Sequence, residues 1–338
     1  MTESATHDAT PPGTASPPVP LWGDFGGQCL AGSCEVTPDL FLPGATAMGL
    51  PKSASYLLGS WQTEDGESHR FLRGIGAYKT LPLFSIFSTR GTGKLARLPE
   101  EEARGYAGGL DTRIIDGAAH HAAPTGGPFS HIAGRSGASW REEGLLDVAG
   151  ELIAVPTQWY NPWRVGGAYA VTTKYRARGT VFGVKADGFF AHETHFMPAG
   201  LDFMNSPFGF GGREVHWGHM ASAFEDGTTV DASLAIGADG WGFALLTDER
   251  GNRFETTKIE VRADVRPNGY PERILYCFLG QEWIWEIAPG GERPHLSPVA
   301  PIGAEGLFRR VGDTRAIVAS MGTIDWWKDG RERSIPPI

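Results

Sequence analysis

Downstream of Gly218 apolar and polar residues alternate with a period of two. Val230, Ala232, Leu234 and Ile236 interleave with Asp231, Ser233 and Ala235, and Ile259, Val261, Ala263 and Val265 interleave with Glu260, Arg262 and Asp264. On an extended chain this sorts the two sets onto opposite faces. The alternation breaks at Asp226-Gly227, Asp239-Gly240, Arg250-Gly251 and Asn268-Gly269, where glycine supplies the positive φ of a tight hairpin. The pattern predicts a run of antiparallel strands that ends in a closing strand over Arg315 to Trp327. A meander of that length leaves two sheet edges, which curling into a barrel removes.

Upstream the same signals recur less regularly. Ser55 to Trp61 reads as a strand before a turn at Asp65-Gly66, and Arg70 to Thr89 as two strand-like runs broken at Pro82. Gly144 to Thr157, Gly167 to Val184 and Gly188 to Phe196 are further strands, the last two joined by a turn at Asp187-Gly188. Leu98 to Tyr106 (LPEEEARGY) is the one helical fragment, with Pro near its start and acids in the first turn. The expectation is a nearly all-β protein.

Composition supports this and narrows the partners. A length of 338 residues allows two domains, expected as a disordered tail over 1–20, a first β domain over 21–205 and a second over 206–338. The 47 glycines and 24 prolines suit many turns, and 11 tryptophans are enough to line a cavity as well as fill a core. A net charge of −9 argues against nucleic acid and against an anionic membrane surface as partners. Cys29, Cys34 and Cys277 show no CxxC spacing, so they read as small buried hydrophobes in a reducing cytoplasm. Residues 1–20 have no apolar signal core, and no apolar run reaches membrane-spanning length.

Candidate chemistry gathers in Phe208 to His219 (FGFGGREVHWGH). If Arg213 to Met220 is a strand, Glu214, His216 and Gly218 share one face, and Val215, Trp217 and His219 the other. Gly218 would leave open space beside His216. The plainer alternative is a hairpin whose Glu and Arg pair on a solvated face. FFAHETHF repeats the pattern, with Glu193 and His195 on one face and His192 and Thr194 on the other. The pairs His192/His195 and His216/His219 are spaced to point apart on strands, so neither reads as a zinc pair. His120, His121 and His131 lack carboxylate or thiol partners at useful spacing. No phosphate loop, dinucleotide fingerprint or nucleophile elbow is present, and Gly91-Thr92-Gly93-Lys94 is a turn. No metal or other cofactor is expected. In QWYNPWR, Trp159, Tyr160 and Trp163 form either a pocket wall or a loop packed over a barrel end.

The segment Gly212-Arg213-Glu214-Val215-His216-Trp217-Gly218, with the hairpins after it, resembles the two-domain lipocalin-like superfamily of carotenoid 1,2-hydratases, kievitone hydratase-like enzymes and Diels–Alderases. Gly212, Arg213, Trp217 and Gly218 match the motif entering the second barrel. Glu214 stands where an Asp is expected, and Val215 where a His is expected. The resemblance covers most of 140–338, including a closing strand around Thr323 to Gly330. It implies two lipocalin-like β-barrels side by side and cofactor-free chemistry on an apolar ligand held in or between them. The implied activity is that of a hydratase or dehydratase, or of a cyclase or isomerase, on a terpenoid, steroid or polyketide-like molecule. A carrier without chemistry and a metal-dependent enzyme are the alternatives. A carboxyl in a tryptophan-lined pocket keeps its proton, which casts Glu214 as the acid and His216 as its partner, with Glu193 and His195 as the next pair. Trp159, Tyr160, Trp163, Arg213, Trp217, Tyr276, Trp283 and Trp285 are the expected ligand contacts, Trp283 and Trp285 sharing one strand face. Reaction direction and oligomeric state stay open.

Overall fold

The alternating runs fold as strands almost throughout. The computed structural model describes residues 30–161, 167–202, 214–237, 241–294, 301–327, 335 and 337–338, with the backbone alone at Glu214. The first strands are β1 (Leu30–Ser33), β2 (Thr46–Ala47), β3 (Leu50–Thr63), β4 (Ser68–Ile75), β5 (Thr80–Ser88), β6 (Ala96–Arg97) and β7 (Asp111–Ile115). They continue as β8 (Ala118–Ala122), β9 (Phe129–Ala133), β10 (Gly137–Glu142), β11 (Leu146–Leu152), β12 (Thr157–Asn161), β13 (Ala168–Val181) and β14 (Val184–Phe196). The remainder are β15 (Glu214–Phe224), β16 (Thr229–Gly237), β17 (Gly242–Thr247), β18 (Arg253–Thr256), β19 (Glu260–Val265), β20 (Pro271–Phe278), β21 (Gln281–Arg293), β22 (Ile302–Arg310) and β23 (Ile317–Trp326).

These strands make two curled antiparallel sheets. The first, 14-stranded, runs β6-β5-β4-β3-β14-β13-β11-β10-β9-β8-β7, with β12 also on β13, β1 on β12 and β2 on β3. Its two ends meet at a bridge between Lys79 and Gly109. The second, 9-stranded, runs β18-β17-β16-β15-β23-β22-β21-β20-β19. Most neighbours are also sequence neighbours, as the hairpin signals imply. The long-range pairings are β3 with β14 and β15 with β23.

Each sheet wraps an aromatic core. Trp61, Phe71, Trp140, Tyr175 and Phe190 fill the first, and Met220, Leu234, Tyr276, Trp283, Trp285 and Phe308 the second. Burying each large side chain stabilises by about 1.5–3 kcal/mol.

Three local expectations are corrected. Leu98 to Tyr106 is no helix: Pro99 accepts from the Glu102 and Ala103 amides, and the chain then leaves the turn. So short a segment cannot meet the cost of helix nucleation alone. The one helical element among the described residues is a 3-10 turn at Pro38–Phe41. Pro82 lies inside β5, where β6 covers only Phe87 and Ser88 and β4 shifts register opposite, so its missing N–H breaks no ladder. Asp187 and Gly188 lie inside β14, and the β13–β14 turn is Phe182-Gly183, with φ of 52° and 78°. Positive φ at both central residues is the hairpin geometry that follows strand twist.

Candidate active site

The two sheets meet along a seam built by one face of their central strands. Phe189 and Ala191 of β14 pack on Ala221 and Ala223 of β15 and on Ala319 and Met321 of β23. Small side chains bring the backbones close there. One and two strand repeats further along β14, the same face carries Glu193 and His195.

Glu193 stands between two imidazoles. His195 Nε2 lies 2.9 Å from Glu193 Oε2, and His219 Nε2 on β15 lies 3.4 Å from Oε1. Thr172 on β13 donates to Oε1 at 3.3 Å. Trp217 Nε1 donates to His219 Nε2 at 3.0 Å, and His219 Nδ1 is 3.4 Å from Ser233 Oγ on β16. Lys174 Nζ crosses the seam to Asp231 Oδ1 at 2.6 Å, Ser233 Oγ at 3.0 Å and the Ala232 carbonyl at 2.5 Å. Trp159 packs edge-on to Trp217 (5.2 Å between ring centres) and to His195 (6.2 Å), and Tyr56 edge-on to His195 (5.2 Å).

Electrostatics decide what this group can do. Burial pushes the Glu193 carboxyl up, but the His195 and His219 imidazoles, through charge and hydrogen bonds, outweigh it and hold the carboxyl well below its usual range. A carboxyl so held is an anion that receives or stabilises protons. Burial drives the Lys174 ammonium down against the Asp231 and Glu193 charges. Further along the seam Glu305 pairs with Arg70 (2.9 Å) and accepts from Ser60 (3.0 Å) and Thr323 (2.7 Å), while Arg293 bridges to Asp325 at 3.4 Å. Over this end a cavity of about 520 Å³ opens between the sheets, lined by Ser60, Arg70, Leu95, Glu305, Val318 and Ala319 among others.

The expected residues distribute unevenly over this geometry. Glu193, His195, Trp159 and Trp217 come together. Tyr160 points away from Trp159, half-buried against the cluster of Cys34 and Tyr169. Trp163, Arg213 and the Glu214 side chain lie outside the described residues. β15 begins with a register shift between Glu214 and His216, which breaks the alternation that would place both on one face. Val215 accordingly packs in the second core and not with Trp217 and His219. His216 points into that core, 2.7 Å from the Tyr276 hydroxyl and 3.0 Å from the Asp325 carbonyl, and is not brought to Glu193. There is no open space at Gly218: a Cβ there would sit 2.5 Å from Met220 Cε. Trp283 and Trp285 share a face as expected and are fully buried.

Sequence reading passed over His219, Thr172, Lys174, Asp231 and Ser233. Their alternation was visible, but which face of β15 and β16 meets β14 depends on how the sheets dock. It also passed over a second histidine group inside the first sheet. There His131 Nε2 is 3.0 Å from His192 Nδ1, and His121 stacks on His131 with ring centres 5.8 Å apart. Lys52, its ammonium driven by burial down to about 7, donates nearby to the Phe41 carbonyl. Among the described residues no three His, Cys, Asp or Glu side chains are placed to hold one metal ion. No helix among them is long and apolar enough to cross a membrane.

No protein-family model matches the chain, and no curated protein matches it. Three solved structures are similar in fold. One is a protein assigned as AttH from Nitrosomonas europaea, at 15% identity and a TM-score of 0.46, covering 91% of this chain and 98% of that one. CghA aligns at 9% identity and 0.42, over 87% and 98%. Kievitone hydratase from Nectria haematococca aligns at 10% and 0.39, over 94% and 97%, so the sequence resemblance and the structural comparison name the same hydratase. Likeness at this level assigns neither a reaction nor a residue to this chain.

Proposed function

We propose that the protein is a cofactor-independent acid–base enzyme acting on a hydrophobic small molecule of terpenoid, steroid or polyketide-like kind. Its reaction class is a carbon–oxygen lyase (hydratase or dehydratase) or a cyclase or isomerase. The observation that supports this is the Glu193 carboxylate, buried on the seam, with His195 at 2.9 Å and tryptophan on the flank. Adding water to an alkene needs a proton delivered to carbon and a base for the attacking water. Dehydration needs the reverse. His195 is the proton donor, because the adjacent carboxylate stabilises its imidazolium. Glu193 orients it and takes up charge as the proton leaves. Trp159 and Trp217 offer apolar faces to the hydrocarbon. This gives the acid's role to an imidazole, where the sequence gave it to a carboxyl.

The test is isotope uptake from heavy water into a panel of terpenoid, steroid and polyketide alkenes and tertiary alcohols, read by mass spectrometry. Wild type should label at least one member, and Glu193→Gln should lower that rate by about 10²–10⁴-fold, the usual contribution of an acid–base group. Glu214→Gln serves as the comparison and should stay within a few-fold. A folded Glu193→Gln protein that labels at the wild-type rate would remove Glu193 from the chemistry. Quenching of tryptophan fluorescence by panel members, with no labelling of any, would favour a carrier.

A further inference from the structure

The donor and acceptor inventory around His219 is more restrictive than the distances alone. An indole N–H and a lysine ammonium can only donate. Trp217 Nε1 sits 3.0 Å from His219 Nε2, so that nitrogen must offer its lone pair. A proton on Nε2 would place two hydrogens in one contact. The ring's hydrogen is therefore on Nδ1, 3.4 Å from Ser233 Oγ. Ser233 Oγ also receives Lys174 Nζ at 3.0 Å, and a hydroxyl oxygen has the two lone pairs needed for both. The chain is self-consistent in one direction only: Lys174 to Ser233, His219 to Ser233, Trp217 to His219. Asp231 fixes the far end by holding Lys174 at 2.6 Å.

We propose that Trp217 and the Lys174–Ser233 pair are positioning residues that keep His219 neutral with its proton on Nδ1, so that Glu193 shares its charge with His195 alone. This rests on the reading of Glu193 and His195 as the acid–base pair. The groups facing His219 are Glu193 and His195 on β14, Lys174 on β13, Asp231 and Ser233 on β16, Trp217 on β15 and Asp325 on β23. Three carboxylates near an imidazole would ordinarily draw a second proton onto it. The indole N–H blocks the nitrogen that would receive it. A second imidazolium would repel the charge on His195 and lower the pH at which His195 gives up its proton. Trp217 thereby sets the proton count of the site as well as forming part of its wall.

Imidazole ¹⁵N–¹H spectra of histidine-labelled protein test this without any substrate, with His219→Gln used to assign the resonance. Wild type should show His219 as the neutral Nδ1–H form throughout titration from about pH 8 to about pH 6, the window in which a free imidazole takes up its proton. Trp217→Phe keeps an aromatic ring and frees Nε2. His219 should then protonate within that window, and the His195 midpoint should fall by on the order of one pH unit. Ser233→Ala removes the acceptor for Nδ1–H and should shift the tautomer towards Nε2–H. Wild-type His219 found as Nε2–H or as imidazolium overturns the proposal even if both variants fail to fold. So does a folded Trp217→Phe protein with unchanged His219 and His195 titrations. Loss of labelling in the heavy-water assay has no bearing on this spectrum, so failure of the catalytic reading and failure of this one are separable.

Discussion

His216 and His219 lie three residues apart on β15 and play unlike parts. His216 Nδ1 donates to the Asp325 carbonyl, which leaves Nε2 to accept from the Tyr276 hydroxyl at 2.7 Å. Burial moves the His216 imidazole down to about 4 and the Tyr276 phenol well above its ordinary value, so the pair sits neutral in an apolar core. Tyr276→Phe leaves Nε2 buried without a donor, which costs about 1–3 kcal/mol. A lower urea midpoint with unchanged labelling is the expected result; an unchanged midpoint would show that the hydroxyl contributes nothing there. At this scale the sequence showed which residues could pair within a strand, and Glu193 with His195 was legible from alternation. His219 was not, because its partners come from β14 and β16 across the seam. The register shift at the start of β15 also lies in backbone pairing, which residue types do not reveal.

Between residues and the whole stand the turns. Asp65-Gly66, Asp226-Gly227 and Asn268-Gly269 were readable because each glycine adopts positive φ (87°, 83° and 90°) after a residue that favours turns. Asp187-Gly188 carries the same signature for a different reason. A Cβ at Gly188 would lie 2.1 Å from the Ser60 carbonyl oxygen and 2.8 Å from Trp61 Cα, so the glycine lets β14 approach β3. Both are backbone atoms and cannot rotate away. Gly188→Ala must force the strands apart and should destabilise by about 1–3 kcal/mol, as overpacking does. Gly218→Ala meets the mobile end of Met220 instead and should cost less. Thermal unfolding of the two variants side by side checks the order, and a Gly188→Ala protein as stable as Gly218→Ala would refute the close-approach reading. The true turn, Phe182-Gly183, carries no turn signal in its first residue, so it could not be read from composition.

The whole molecule is two sheets clamped on a buried band of charge. Lys174 with Asp231, Glu193 with His195, and Arg70 and Arg293 with Glu305 and Asp325 span the seam in succession. Breaking one partner of such a pair typically costs about 3–5 kcal/mol because the other stays buried and charged. That both halves are β meanders was legible in the DG and NG breaks; that they dock through polar faces was not, since Asp231 and Ser233 read as solvent-facing positions. The same burial makes the fold sensitive to acid. His69, His131 and His216 are each lowered by burial to about 4, and His121 and His192 are pushed well below the ordinary value of 6.5. These imidazoles are neutral when folded and take up protons near their ordinary value once unfolded. The unfolded chain therefore binds more protons as pH falls below about 6.5, and linkage removes stability down through about 4. Each such proton is worth about 1.4 kcal/mol per pH unit in that window. The urea midpoint should hold from about pH 8 to about pH 7 and fall steeply towards about pH 5. A level midpoint across that range would mean that the imidazoles accept their protons inside the fold.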